Sequence, residues 1–400
     1  MPLPPGSRAA ARAALPATVV ALGVVSLLTD LSSEMIYPLL PLFLTVVLGA
    51  GPQALGLIEG VAESTASLVK VASGVWSDRT HRRKPLVVAG YSLAGAMRPL
   101  IGLAQAWPTV LLLRFADRLG KGLRTSPRDA LIADATPPAQ RGEAFGVQRA
   151  LDHLGAVLGP LVAAVLLTFA GFSLRAVFLL AIVPAVAVIV VLLAFLREVP
   201  RANPAAALRL AGSWRELGHP AHALLAAVFL FTLGNSSDAF LLLRLSDAGA
   251  SPAGVALAWS GFHVVKTASA YLAGRRSDRV GRRSLVIAGW GVYAAVYLAF
   301  AALSSRAAVV AIFLAYGLYY GLTEPVERAW LADLVPERLR GTAFGLYHGA
   351  IGLAALPASV LFGALWQRVA PAAAFATGAA LAGGAALLLL RVPARREEPT

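Results

Sequence analysis

Two carboxylates one helical turn apart, Asp30 and Glu34, sit inside an apolar run that begins near Thr18 and leads into Tyr37-Pro38, a predicted kink. An acid in oil can exchange protons: desolvation favours its neutral form, and access to water or a nearby cation favours its charged one. A second acid, Asp238, follows two serines (SSD, 236–238) as Glu34 does (SSE, 32–34). Other ionisable groups share the apolar runs. Glu59, Glu63 and Lys70 fall within about 40° of one another at about 100° per residue, a single polar stripe. Arg98, Arg114, Asp117, Arg118, Lys121, Arg149, Asp152 and His153 follow, then His263, Lys266, Glu324, Glu327, Arg328 and His348. Each costs about 2.5–3.5 kcal/mol at the centre of a bilayer, so each needs a partner or a task. Pairing within the first half could satisfy most of these, for example Glu63 with Lys70 through water or Glu59 with Arg98 across helices.

The elements that must position these groups are apolar helices. Of the 400 residues, 58% are hydrophobic and 14% charged, against roughly a quarter charged in soluble chains. Windows of about 20 apolar residues, enough to cross a hydrocarbon core of about 30 Å, recur along the chain. We place twelve, at 18–46, 54–76, 85–105, 108–128, 143–168, 174–196, 221–246, 253–274, 284–304, 307–331, 342–367 and 372–391. They must be helical, because an isolated extended crossing would leave backbone groups unpaired in lipid. The expected fold is an all-α membrane protein of twelve spans: one six-helix bundle over 1–196, a linker over 197–220 and a second bundle over 221–400.

The net charge of +14 would suit a nucleic-acid partner if the charge were gathered on one surface. It is distributed by topology instead. Of the 35 Lys and Arg, 20 fall in the tails, the even-to-odd loops and the linker, twelve elsewhere inside the spans, and three (Arg175, Arg306, Arg368) at or just beyond the opposite ends of the spans. That asymmetry puts both termini in the cytoplasm. With no cysteine there is no disulfide frame, thiol nucleophile or Cys-bound metal, and His219 and His222 at a helix entry are expected to be solvated rather than ligating. The first apolar run outlasts the core of a signal peptide and is read as helix one.

The two halves repeat one plan. GVWSDRTHRR (74–83) returns as GRRSDRVGRR (274–283), and ADATPPAQRGEAFG (133–146) parallels ADLVPERLRGTAFG (332–345). On these residues the chain resembles the major facilitator superfamily, whose loop signature G-x-x-x-D-R-x-G-R-[RK] fits the second copy at Gly274, Asp278, Arg279, Gly281, Arg282 and Arg283. The first copy, with Gly74, Asp78, Arg79, Arg82 and Arg83, has His81 in place of the loop glycine. The resemblance implies two pseudo-symmetric bundles that rock about a central site, and a cytoplasmic gate made by these loops. In it, Asp78 and Asp278 would meet a helix N-terminus or an arginine across the half interface. Gly146, Gly155, Gly159 and Pro160 have the spacing of the helix-five motif of proton-driven exporters, with Ala163-Ala164 where a glycine pair is usual. Arg114 matches the intramembrane arginine of helix four, although the residues after it, FADRLG, depart from the usual pattern. The charged stretch 120–134 is expected to close the cytoplasmic gate.

The resemblance also makes helices one and seven line the cavity. Glu34 is therefore the first candidate for proton coupling or cation binding, with Asp30 and Asp238 next and Glu59, Glu63, Arg98 and Arg114 behind them. The leading reading is a secondary transporter of the bacterial inner membrane that works by alternating access, exporting a small amphiphilic or cationic compound against protons. It would be a monomer in the lipid bilayer, with no nucleic-acid partner, no metal and no cofactor beyond the proton gradient. Two alternatives remain open: transport of an anionic solute or metal complex on Arg98, Arg114, Arg118 and Arg149, and a non-transporting membrane scaffold or receptor. The sequence has no G-x-S-x-G, H-E-x-x-H or P-loop, so an enzyme is not expected.

Overall fold

The structure, a computed structural model, describes residues 15–79, 82–137, 140–198, 215–336 and 339–392, the side chains of 79, 215 and 274–279 excepted. Twelve long helical rods account for nearly all of it. In chain order they are α1 (Ala17–Val47), α2 (Pro52–Arg79), α3 (Lys84–Leu103), α4 (Trp107–Ala135), α5 (Arg141–Thr168), α6 (Leu174–Phe195), α7 (His219–Asp247), α8 (Pro252–Val280), α9 (Arg282–Ala302), α10 (Arg306–Leu334), α11 (Arg340–Arg368) and α12 (Pro371–Leu389). Nine are long and apolar enough to cross a membrane, among the described residues. The other three, α2, α4 and α8, are as long but carry many of the charges that concern the site.

The starts are written locally. A proline in the first turn, where a missing N–H costs nothing, opens α2, α4, α7, α8 and α12. Ser173 and Ser305 cap α6 and α10 by accepting from the N–H of Ala176 and Ala308. The helices end later than hydropathy suggests. α4, α8 and α10 continue to residues 135, 280 and 334 rather than 128, 274 and 331, so the charged stretch 120–134 is the last turns of a helix. Charged side chains can leave the hydrocarbon while their backbone stays helical.

Helices α1 and α7 are both irregular near their middles. In α1 the helix tightens to a 3₁₀ turn at Tyr37–Leu39 and widens to a π turn at Phe43–Val47, beside Pro38 and Pro41, which cannot donate to the helical ladder. In α7 the helix breaks after Gly234 and resumes at Ala239, leaving residues 235–238 extended or turned. Asp238 stands at that break.

The principal helix contacts show the duplication in three dimensions. Contacts α1·α5, α1·α6, α2·α4, α3·α4 and α3·α6 are matched by α7·α11, α7·α12, α8·α10, α9·α10 and α9·α12, each number raised by six. The halves meet through α2·α11 and α5·α8, which the same operation exchanges. A Cβ at Gly56 would collide with the Ser359 carbonyl, and one at Gly363 would lie 2.7 Å from the Pro52 carbonyl, so these glycines let α2 and α11 touch backbone to backbone. That contact runs from Gln53, whose N–H donates to Gln367 Oε1 at 3.0 Å, past Ser64, whose hydroxyl donates to the Gly352 carbonyl at 2.6 Å, to Lys70, 3.1 Å from His348 Nε2.

Candidate functional site

Helix α1 presents Glu34 to the seam between the halves. Trp259 Nε1 of α8 donates to Glu34 Oε2 at 2.7 Å, and His263 Nε2, one turn further along α8, lies 3.9 Å from the same oxygen. Behind Glu34 stands α5. A Cβ at Gly159 would lie 2.9 Å from Glu34 Cβ and from the Leu31 carbonyl, and one at Gly155 would strike the Leu27 carbonyl, so the two glycines bring α5 against the α1 backbone. Pro160 is buried in the same helix, whereas Gly146 has open space around it. Asp30, one turn before Glu34, has Asp152, Arg124 and Lys121 as further charged neighbours.

The first-half ions form a closed network within α2, α3 and α4. Arg114 grips Glu59 through Nε (3.0 Å) and Nη2 (2.6 Å) and reaches Asp117 at 3.4 Å. Arg98 donates to Asp117 at 2.8 Å and to the Thr29 carbonyl at 3.2 Å. Arg118 lies 3.6 Å from Asp117 and 3.8 Å from Glu63. Three acids thus face three arginines. The partners differ from the sequence expectation: Glu59 pairs with Arg114, not Arg98, and Lys70 turns away from Glu63 to His348 on α11. A shared stripe on one helix says nothing about which neighbouring helix supplies the counter-charge. Arg149 stands apart, 3.5 Å from Asp152 and about half exposed.

From the other half, Asp238 is held by phenols. Tyr316 donates to Oδ1 at 2.9 Å, and Tyr320 lies 2.9 Å from Oδ2 and 3.2 Å from Oδ1. Lys266 Nζ sits 4.1 Å from the centre of the Tyr320 ring and 3.2 Å from Glu324, which Arg328 reaches at 3.4 Å. The acids of the two halves are linked by aromatic rings: Tyr37 to Trp259 (5.3 Å between centroids), Trp259 to Phe262 (4.8 Å), and Phe262 to Tyr316 and Tyr320 (5.7 Å each). A polar link runs beside them, from Tyr37 to Ser237 (3.3 Å) and from Ser237 to Glu59 Oε2 (3.3 Å). Glu327, deeper in the second half, accepts from Trp290 Nε1 and from the Tyr347 hydroxyl, both at 2.8 Å. Tyr271, one of the aromatics on α8, is instead exposed.

The buried acids therefore divide by partner. Glu59 and Asp117 are matched by guanidinium groups. Glu34, Asp238 and Glu327 accept hydrogen bonds from neutral indole and phenol donors.

The gate motif takes a form that the resemblance did not imply. Among the described residues, the ion-pair partner of Asp78 lies in its own half. Asp78 is 3.1 Å from Arg83 of its own loop, and Arg83, almost fully buried, also reaches Asp134 at 2.5 Å. The N-terminus of α3 is occupied by Glu198, which accepts from the N–H of Arg83 and Lys84 at 2.9 Å each. Gly74 faces Ser126 of α4, and Arg82 lies at the surface. In the second half the shift is by one residue: Arg282 pairs with Asp333 (2.7 Å), the counterpart of Asp134, while Arg283 donates to the Leu390 carbonyl. Gly281 takes a positive φ of 90° at the start of α9. His81 and the side chains of Arg79, Gly274, Asp278 and Arg279 lie outside the described residues.

Comparison with known proteins agrees with this geometry. The family model of the Major Facilitator Superfamily matches residues 22–246 and 224–400. An uncharacterised MFS-type transporter of Methanocaldococcus jannaschii is 33% identical over 382 residues, covering 93% of this chain and 94% of the relative. The multidrug resistance protein MdtH of Aeromonas hydrophila is 31% identical over 144 residues, 36% of each chain. Among solved structures, a bacterial homologue of the human lysosomal transporter Spinster, inward-facing and occupied, superposes with a TM-score of 0.71 at 18% identity over 94% of both chains.

Proposed function

The chain belongs to the major facilitator superfamily, a multi-pass membrane transporter, and we propose that it exports a small amphiphilic or cationic compound in exchange for protons by alternating access. One observation carries this reading: Glu34 of one half is held by Trp259 of the other, a neutral donor, at the seam between the bundles. Protonating Glu34 weakens that hydrogen bond, leaves the indole an oxygen to donate to and strands no charge. Protonating Glu59 would instead leave Arg114 buried against a neutral partner, a penalty of about 3–5 kcal/mol. Glu34, Asp238 and Glu327 can thus titrate within a transport cycle. Glu59, Glu63, Arg98 and Arg114 hold the first bundle together.

The same division favours a cationic cargo. Trp259, Phe262, Tyr316 and Tyr320 connect the two acids with aromatic faces, which attract cations. Three of the four arginines that an anion would need, Arg98, Arg114 and Arg118, already face Asp117, Glu59 and Glu63. We place the chain in a bacterial inner membrane, with both termini and the linker on the cytoplasmic side; the placement of Lys and Arg supports that orientation. Asp78 clamped within its own half, with Glu63, Arg149, Glu324 and Arg328 partly exposed, fits a state open toward that side. The gate then closes when the loops of the two halves approach.

Proteoliposomes with an imposed pH gradient test this. Ethidium, an aromatic organic cation, is expected to accumulate, and a protonophore to collapse the accumulation; Glu34→Gln loses the response to the gradient. Strict preference for organic anions, or gradient-driven flux unchanged in Glu34→Gln, overturns the reading.

A further inference from the structure

His263 is buried in the seam, and neither of its ring nitrogens has a hydrogen-bond partner among the described residues. Buried polar atoms are nearly always paired, and an exception at a candidate site asks for a partner that comes and goes. The ring is held by its neighbours. It stands edge-on to Trp259 (88° between planes, centroids 4.9 Å apart) and to Phe262 (75°, 5.3 Å), which keeps Nε2 directed at Glu34 Oε2 across 3.9 Å. That gap is too long for a hydrogen bond, and a side-chain movement of about 1 Å would make one.

We propose that His263 is the second proton carrier of the central site, taking the proton that Glu34 gives up and passing it toward the Lys266–Glu324 end. This rests on the proton-coupled reading above. In the step, the O–H bond of the protonated Glu34 carboxyl breaks and an N–H bond forms at His263 Nε2, leaving a carboxylate and an imidazolium. Trp259 Nε1, which can only donate, stabilises that carboxylate at 2.7 Å. The imidazolium then loses the proton on Nδ1 to water, so one proton has crossed the ring and nothing is oxidised or reduced.

The charged and titratable groups around the ring come from every helix packed on it. They are Glu34 from α1, His153 from α5, Lys266 one turn along α8, and Glu324 from α10. Lys266 repels an imidazolium, whereas Glu34 and Glu324 attract it. A proton held at His263 is therefore transient, with Glu34 at one end of its path. Glu324, 3.2 Å from Lys266 and more exposed than Glu34 and His263, marks the end nearer water.

Two assays on the full chain in proteoliposomes separate relay from scaffold. Ethidium counterflow without a gradient reports binding and rocking; ethidium accumulation under an imposed pH gradient reports coupling. For His263→Asn, which cannot carry a proton, accumulation is expected to fall about tenfold or more while counterflow stays within about twofold of the parent. His263→Asp, which restores a titratable atom at similar reach, should recover several-fold of the lost accumulation. Accumulation retained in His263→Asn overturns the relay, as does counterflow lost as deeply as accumulation in both variants. A parent chain that shows counterflow but no response to the gradient refutes the proton-coupled reading itself, and the relay with it.

Discussion

Replacing Glu59 and Glu34 separately by glutamine should have opposite consequences, and the size of each follows from its partners. Glu59 is fully buried and takes two hydrogen bonds from Arg114, at 2.6 and 3.0 Å. In Glu59→Gln the guanidinium keeps only Asp117 as a charged partner, at 3.4 Å, and Asp117 is already shared with Arg98 and Arg118. Three cations then face two acids, and an uncompensated buried charge costs about 3–5 kcal/mol. Glu34→Gln keeps an oxygen able to accept from Trp259, so its loss should stay within about 1 kcal/mol, the net worth of a hydrogen bond. Unfolding both variants by SDS titration in mixed micelles measures the difference directly. Equal stability, or a greater loss in Glu34→Gln, would refute the division of the acids into structural and titrating groups.

Further expectations concern the parts around that division. Gly155→Val drives a branched side chain into the Leu27 carbonyl, and the parting of α5 from α1 should cost about 1–3 kcal/mol by the same titration and lower ethidium flux. Asp78→Asn leaves Arg83 with Asp134, so stability should fall by only about 0.5–1.5 kcal/mol while transport cycling slows and ethidium binding, read by fluorescence, is retained. Removing both phenols from Asp238, as Tyr316→Phe with Tyr320→Phe, should cost about 1.5–3 kcal/mol per charged hydrogen bond lost and cut gradient-driven accumulation more than Tyr293→Phe, whose hydroxyl serves the Gly234 carbonyl.

Much of the architecture is legible in the sequence because burial in lipid is a one-dimensional demand: each crossing needs an apolar window, and all twelve windows coincide with helices, nine of which, among the described residues, are long and apolar enough to cross. The repeat is legible for a similar reason, since matched loops such as 133–146 and 332–345 enter matched helices. Charged helix ends are not, because hydropathy stops where the side chains change and the backbone does not. Glu34 and Asp238 stand out by type and position alone. Their partners do not: Trp259 lies 225 positions from Glu34, on a helix whose rotation only packing fixes. The same holds for Arg114 with Glu59, and for Glu327 with Trp290 and Tyr347. The break in α7 at Asn235–Asp238 has no proline to announce it, whereas Pro38 announces the one in α1.

If transport works by alternating access, the two bundles must part. A chain without cysteine allows a direct measurement: Gln53→Cys with Gln367→Cys places the only two thiols at the end of the α2·α11 contact, where the native residues are joined at 3.0 Å. A short thiol cross-linker should then stop gradient-driven ethidium flux, and release with a reducible version of the linker should restore it. Flux that continues undiminished while the two positions are fully cross-linked would contradict the account.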